Sequence, residues 1–112
     1  MKLMIIVLNK VEMLEALLET MTARGLRGAT ILNSTGMLRV LTQSEDLPLF
    51  GSLRYLIDSD DREDSKTIFV VLREEQVNLA KQTVRDIVGD LSKPNTAILF
   101  TLPIEDVEGV ER

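Results

Sequence analysis

The chain has no cysteine, no histidine and no tryptophan. Without thiols there is neither a disulfide framework nor a thiolate zinc site, and without imidazole the commonest general base and metal ligand is missing. No pair of carboxylates or lysines stands in a recognisable acid–base or nucleophile motif, so the sequence predicts a protein that is not an enzyme. Aromatic residues are confined to Phe50, Tyr55, Phe69 and Phe100, so a core has to be built from Leu, Ile, Val and Met. Positive charge is in deficit: 13 Lys and Arg stand against 18 Asp and Glu. The resulting net charge of −5 opposes the counterion release that drives nucleic-acid binding, and neither DNA nor RNA is an expected partner. Long apolar runs are lacking too. The run at the start, Leu3 to Leu8, is shorter than a membrane span or a signal-peptide core. No membrane insertion is expected, and the cytoplasm is the expected compartment.

What is present is a regular alternation of short apolar runs and amphipathic stretches. At 112 residues the length fits a single domain, 1–112. Lys2 to Leu8, rich in Ile and Val and stopping after a few residues, predicts a central strand. Asn9, with Glu12 three residues on, predicts a capped helix from Lys10 to Arg24, whose Val11, Leu14, Leu17, Leu18 and Met21 recur at helical spacing before Gly25 stops it. Its Glu12, Glu15 and Glu19 form a solvated face. Ala29 to Leu32 and Thr67 to Leu72 predict strands. Val77, Ala80, Val84, Ile87 and Val88 share one side of a second helix closed by Gly89, and Ala97 to Leu102 predicts a last strand ended by Pro103.

The order β-α-β, long segment, β-α-β predicts an α+β fold: a ferredoxin-like plait, with a four-stranded antiparallel sheet and two helices on one face. Leu, Ile and Val recur at both parities along the strands, so the other face must be covered as well, and further copies of the chain are the expected cover. The segment between the halves, 36–66, is longer than loops within small domains usually are, which marks it as functional. It is also apolar. Asp46 and Pro48 suit a helix start, and Leu49, Phe50, Leu53, Leu56 and Ile57 fall on one side, so a short helix is expected from Leu47 to Ile57. That stripe either packs on the assembly or docks a target protein through Phe50, Leu53 and Tyr55. Asp58, Asp60, Asp61, Glu63 and Asp64 imitate the opening of a calcium loop. Glu63 occupies the place of the turn glycine and Phe69 that of the bidentate glutamate, so a solvated acidic turn is expected and no metal.

Four features give the chain a family resemblance. Gly28, Thr30, Gly36 and Arg39 stand at the spacing G-x-T-x5-G-x2-R. The stretch VVLREEQVNLAKQTVRDIV joins a strand to a helix through an acidic pair and Gln-Val, and the chain closes with ILFTLPIEDV. With the length and element order from Met1 to Val107, these features resemble the PII family of nitrogen-regulatory signal proteins and its PII-like relatives. The resemblance implies a homotrimer with small effectors, adenine nucleotides among them, bound in clefts between subunits. It also implies signal transduction through a modified T-loop, here 36–66; no cofactor is expected.

The chain departs from the family's phosphate loops. Gly89, Asp90, Leu91, Ser92, Lys93, Pro94, Asn95 and Thr96 replace a Gly-rich, Lys-ended loop, Gly109 and Glu111 replace two arginines, and Val40 replaces a glutamine. A conventional ATP and 2-oxoglutarate sensor is therefore not expected. What the resemblance retains is a pocket floor of Thr30, Gly36, Arg39 and Val71. There Arg39 can pair with a phosphate, Gly36 allows close backbone approach and Thr30 can bond a base edge. Ser34 to Arg39, STGMLR, is also similar to the T-G-G-F-L-R of PII-like receptors for cyclic di-AMP. A trimer that binds proteins and has lost its small ligand is the alternative. CutA-type metal-tolerance trimers share the element order, but a sequence without histidine argues against a transition-metal role.

Overall fold

The structure is a computed structural model and describes residues 1–43 and 64–110. Strand β1, Lys2–Leu8, shows why a continuous apolar run suits its place. Successive side chains point to opposite faces. Met4, Ile6 and Leu8 are fully buried, while Leu3, Ile5 and Val7 are only partly so.

A 3-10 turn, Val11–Met13, leads into α1, Leu14–Ala23. The expected cap by Asn9 does not form. The backbone N–H groups of Asn9 and Lys10 instead donate to the carbonyl of Thr96, at 2.9 and 3.0 Å, so the helix entry is tied to the chain just before the last strand. Strand β2, Thr30–Ser34, follows, and then α2, Met37–Gln43. The chain re-enters the sheet as β3, Ser65–Leu72. A turn at Glu74–Gln76 opens α3, Val77–Val88, with the Arg73 backbone N–H donating to Gln76 Oε1 at 2.9 Å. Gly89, at φ 98°, ends that helix in a conformation that L side chains rarely adopt. Strand β4, Ala97–Pro103, completes the order.

The four strands form one antiparallel sheet in the order β2-β3-β1-β4. The α1 connection therefore passes from β1 over β3 to β2, and the α3 connection from β3 over β1 to β4. Both helices bury against the same sheet face. Leu17 and Met21 of α1 and Ala80, Val84 and Val88 of α3 join Met4, Ile6, Leu8, Ile68, Val70 and Leu72 in one core cluster. Burying a side chain of the size of Leu17 contributes about 1.5–3 kcal/mol. The two helices are also linked by polar contacts. Arg24, at the end of α1, donates through Nη1 to the buried Thr83 hydroxyl and to Asp86 Oδ2, both at 2.9 Å.

The opposite sheet face follows from the register. Thr30 lies across from Phe69, which lies across from Ile5, which lies across from Phe100. The neighbouring rows are Leu32, Thr67, Val7 and Ile98 on one side and Val71, Leu3 and Leu102 on the other. This face carries no charge, and its outer residues are open to solvent: Leu32 is 46% exposed, Ile98 60% and Phe100 44%.

Strands β2 and β3 both extend closer to the 36–66 segment than the sequence predicts, to Ser34 and back to Ser65. Helix α2 falls inside that segment, where no helix was predicted before Leu47. The helix expected from Leu47 to Ile57 lies outside the described residues, as do Phe50, Leu53 and Tyr55.

Candidate functional site

The place where the 36–66 segment leaves and rejoins the sheet is fastened from both faces. Ser34 and Ser65 are register partners at the end of the β2–β3 ladder. Their hydroxyl oxygens are 2.7 Å apart, Thr67 Oγ1 donates to Ser34 Oγ at 2.8 Å, and Ser65 Oγ donates to the Ser34 carbonyl at 3.3 Å. A hydroxyl has one proton to give. With Thr67 giving its proton to Ser34 and Ser65 giving its own to the carbonyl, Ser34 donates to Ser65, and all three protons are used. The trio is therefore a staple between strands. On the helix-bearing face Lys66 Nζ donates to Asn33 Oδ1, between another pair of register partners.

Beyond the staple the chain turns through Thr35 and Gly36 into α2, with the Val40 N–H donating to the Gly36 carbonyl at 3.2 Å. This turn carries Arg39 back toward the start of β3. Arg39 Nε lies 3.0 Å from Asp64 Oδ1, and the Thr35 hydroxyl donates to the same oxygen at 3.2 Å. One carboxylate oxygen thus accepts from a hydroxyl and is ion-paired with a guanidinium, two groups suited to an oxyanion. Arg39 is mostly covered, at 23% side-chain exposure, whereas Asp64 is at 52%.

Of the residues assigned to the pocket floor, Gly36 and Arg39 stand together on one turn. Thr30 and Val71 stand elsewhere, on the uncharged sheet face. Thr30 is at the far end of β2 from Ser34, about 13 Å away at strand rise, and Val71 is two residues beyond Phe69, the register partner of Thr30. Arg39 stands at the root of the segment beside Asp64, a carboxylate that the sequence does not connect with it. Asp64 was read as one member of an acidic run, and only the return of β3 beside β2 distinguishes it from its neighbours. Thr35 was missed for the same reason.

Glycine has different causes at two positions of the motif. Gly28, at φ 83°, occupies a backbone conformation that favours glycine. Gly36 does not, and a Cβ added there would meet nothing within 4 Å. Among the described residues no group of acidic side chains is placed to hold a metal ion, and no helix is long and apolar enough to cross a membrane.

No family model matches the chain, and no curated protein sequence matches it. Among solved structures it resembles a functionally unknown protein from Pediococcus pentosaceus, at TM-score 0.64 and 18% sequence identity, over 97% of this chain and 96% of that one. At that identity the likeness is one of fold.

Proposed function

We propose that this chain is a PII-like regulatory protein: a ferredoxin-like plait that assembles as a trimer, senses a phosphate-bearing effector such as an adenine nucleotide in clefts between copies, and signals through the 36–66 segment to a target protein. One observation carries the reading. The residues suited to an oxyanion, Arg39 and Thr35, stand at the root of the segment, beside the strand end where it leaves the sheet. Binding at that root acts on the segment directly.

Two further features support it. The uncharged sheet face, with Phe100 and Ile98 open to solvent, is the kind of surface that a further copy covers. Thr30 and Val71 lie on that face, so a copy packed there stands beside them and supplies a cleft wall. Gly36, which the backbone does not require to be glycine, is explained by the close approach of a ligand.

A second reading is favoured by the Arg39–Asp64 contact itself. An arginine already paired with a carboxylate is what a protein-binding trimer without a small ligand would retain. The two readings separate in a thermal-shift titration against ATP, ADP, AMP, cyclic AMP and cyclic di-AMP, each with and without magnesium. Ligand at a hundredfold its dissociation constant stabilises the native state by about 2.7 kcal/mol per site. The effector reading expects a selective rise in midpoint that Arg39→Ala abolishes. A flat response to every compound favours the protein-binding trimer.

A further inference from the structure

We infer that the two outer edges of the sheet pair with one another between copies: β4 of one copy of this chain lies along β2 of the next, head to tail, so that the sheet runs on from copy to copy. The inference rests on the assembly in the reading above and adds to it the strands that meet.

The exposed apolar side chains are not scattered. Apart from Met1 and Leu79, every large one among the described residues belongs to β2, to α2 directly after it, or to β4. Strands β2 and β4 are the outer strands of the sheet, each paired on one side only among the described residues. An edge strand bares a row of N–H and C=O groups, and proteins that keep such an edge in water guard it with charge, proline or a bulge. Neither edge is guarded in this way. Strand β4 has no charged residue in its seven, and its proline is the last of them, while β2 has neither charge nor proline. Both ladders run one residue to one residue, with no bulge. A bare, uncharged strand edge takes another strand as its partner.

Strand direction selects which one. Every neighbouring pair in the sheet is antiparallel, so β2 and β4 point in opposite directions. Copies set side by side in the same sense therefore bring β4 against β2 as an antiparallel pair, the more stable kind of ladder. Pairing β4 with β4 would leave both β2 edges bare, and pairing β2 with β2 would leave both β4 edges bare. Only β4 with β2 uses the two edges in one contact, and a repeated head-to-tail contact leaves no edge bare once the copies close into a ring. In such a ring the bulky helix layer lies outside and the uncharged sheet faces turn inward, which covers Ile98 and Phe100 as well. The exposed apolar side chains of α2 carry the contact on past the end of β2.

The test is the mass in solution of wild type, Leu32→Lys and Ile98→Lys, each alone and the two variants mixed in equal amounts. Both side chains are already exposed, so lysine leaves the chain folded, which circular dichroism checks, and places a charge at one edge only. Wild type is expected to assemble and each variant alone to run as a single chain. In the mixture, the intact β4 edge of Leu32→Lys meets the intact β2 edge of Ile98→Lys, so pairs of one of each should form and nothing larger. If either variant alone assembles like wild type, the β4–β2 seam is overturned. A mixture that stays as single chains overturns it too, and leaves packing of sheet face on sheet face to account for the assembly of wild type. A wild type that runs as a single chain overturns both the seam and the assembly reading. Should a variant not fold, hydrogen exchange of wild type decides the matter. A bare edge leaves alternate amides unbonded, so the seam expects consecutive amides to be protected through Thr30–Ser34 and on β4, and fast exchange at alternate positions would overturn it.

Discussion

Gly28 and Gly36 belong to one sequence motif but answer to different constraints. The first sits at φ 83°, so the backbone accounts for it; the second has ordinary backbone geometry and open space where a Cβ would be. A side chain at Gly36 therefore costs the fold little. Gly36→Ala is expected to change unfolding stability by less than about 1 kcal/mol, the scale of a cap substitution. The same variant should lose effector binding, because a methyl group there stands in the path of the ligand. Chemical denaturation and the titration described above read the two effects separately. An unstable variant would place Gly36 among the structural residues, and unaltered binding would remove it from the cleft. Arg39 shows the complementary case, in which a residue type was legible but its partner was not, since the partner is distant in sequence and adjacent only after β2 and β3 pair.

At the scale of elements, the joint between α1 and α3 combines a buried apolar seam with a polar link. Asp86 accepts from Gln82 Nε2 at 2.8 Å and from Arg24 at 2.9 Å, and these hydrogen bonds hold its carboxyl below the usual value. A carboxyl whose folded-state value is lowered adds stability above its unfolded value, and loses that contribution as pH falls through the folded one. Asp86→Asn should therefore melt below wild type at neutral pH, and the gap should close as pH falls below about 4. A gap that persists under acid would mean that Asp86 acts through packing and not through charge. The strands and both long helices were legible in the sequence because their apolar residues recur at period 2 or at helical spacing. Lys2–Leu8 was read with the bounds it has. Helix α2 was not read. Met37, Leu38 and Val40 do not form a buried stripe, being 74%, 52% and 55% exposed, so hydrophobic periodicity had no seam to report. The Asn9 cap failed for another reason: the local signal was outcompeted by backbone bonds to Thr96, which only the folded sheet brings near.

At the scale of the whole molecule, the described chain covers one sheet face with its own helices and leaves the other apolar and without charge. Thr30 stands on that second face, and Arg39 on the turn beyond the strand's other end. The account assigns them to one effector site completed by different copies, and this can be tested by mixing subunits. Arg39→Ala and Thr30→Val would each be purified, shown to bind the effective nucleotide weakly or not at all, then unfolded together and refolded as a mixture. Random assembly in a ring leaves roughly a quarter of the clefts with an intact Arg39 side from one copy and an intact Thr30 side from another. The account predicts that binding returns in the mixture, at about that fraction of the wild-type sites and with wild-type affinity. No recovery from a mixture shown by subunit mass to have assembled would contradict it, and would place Arg39 and Thr30 within the same chain's site or outside any site.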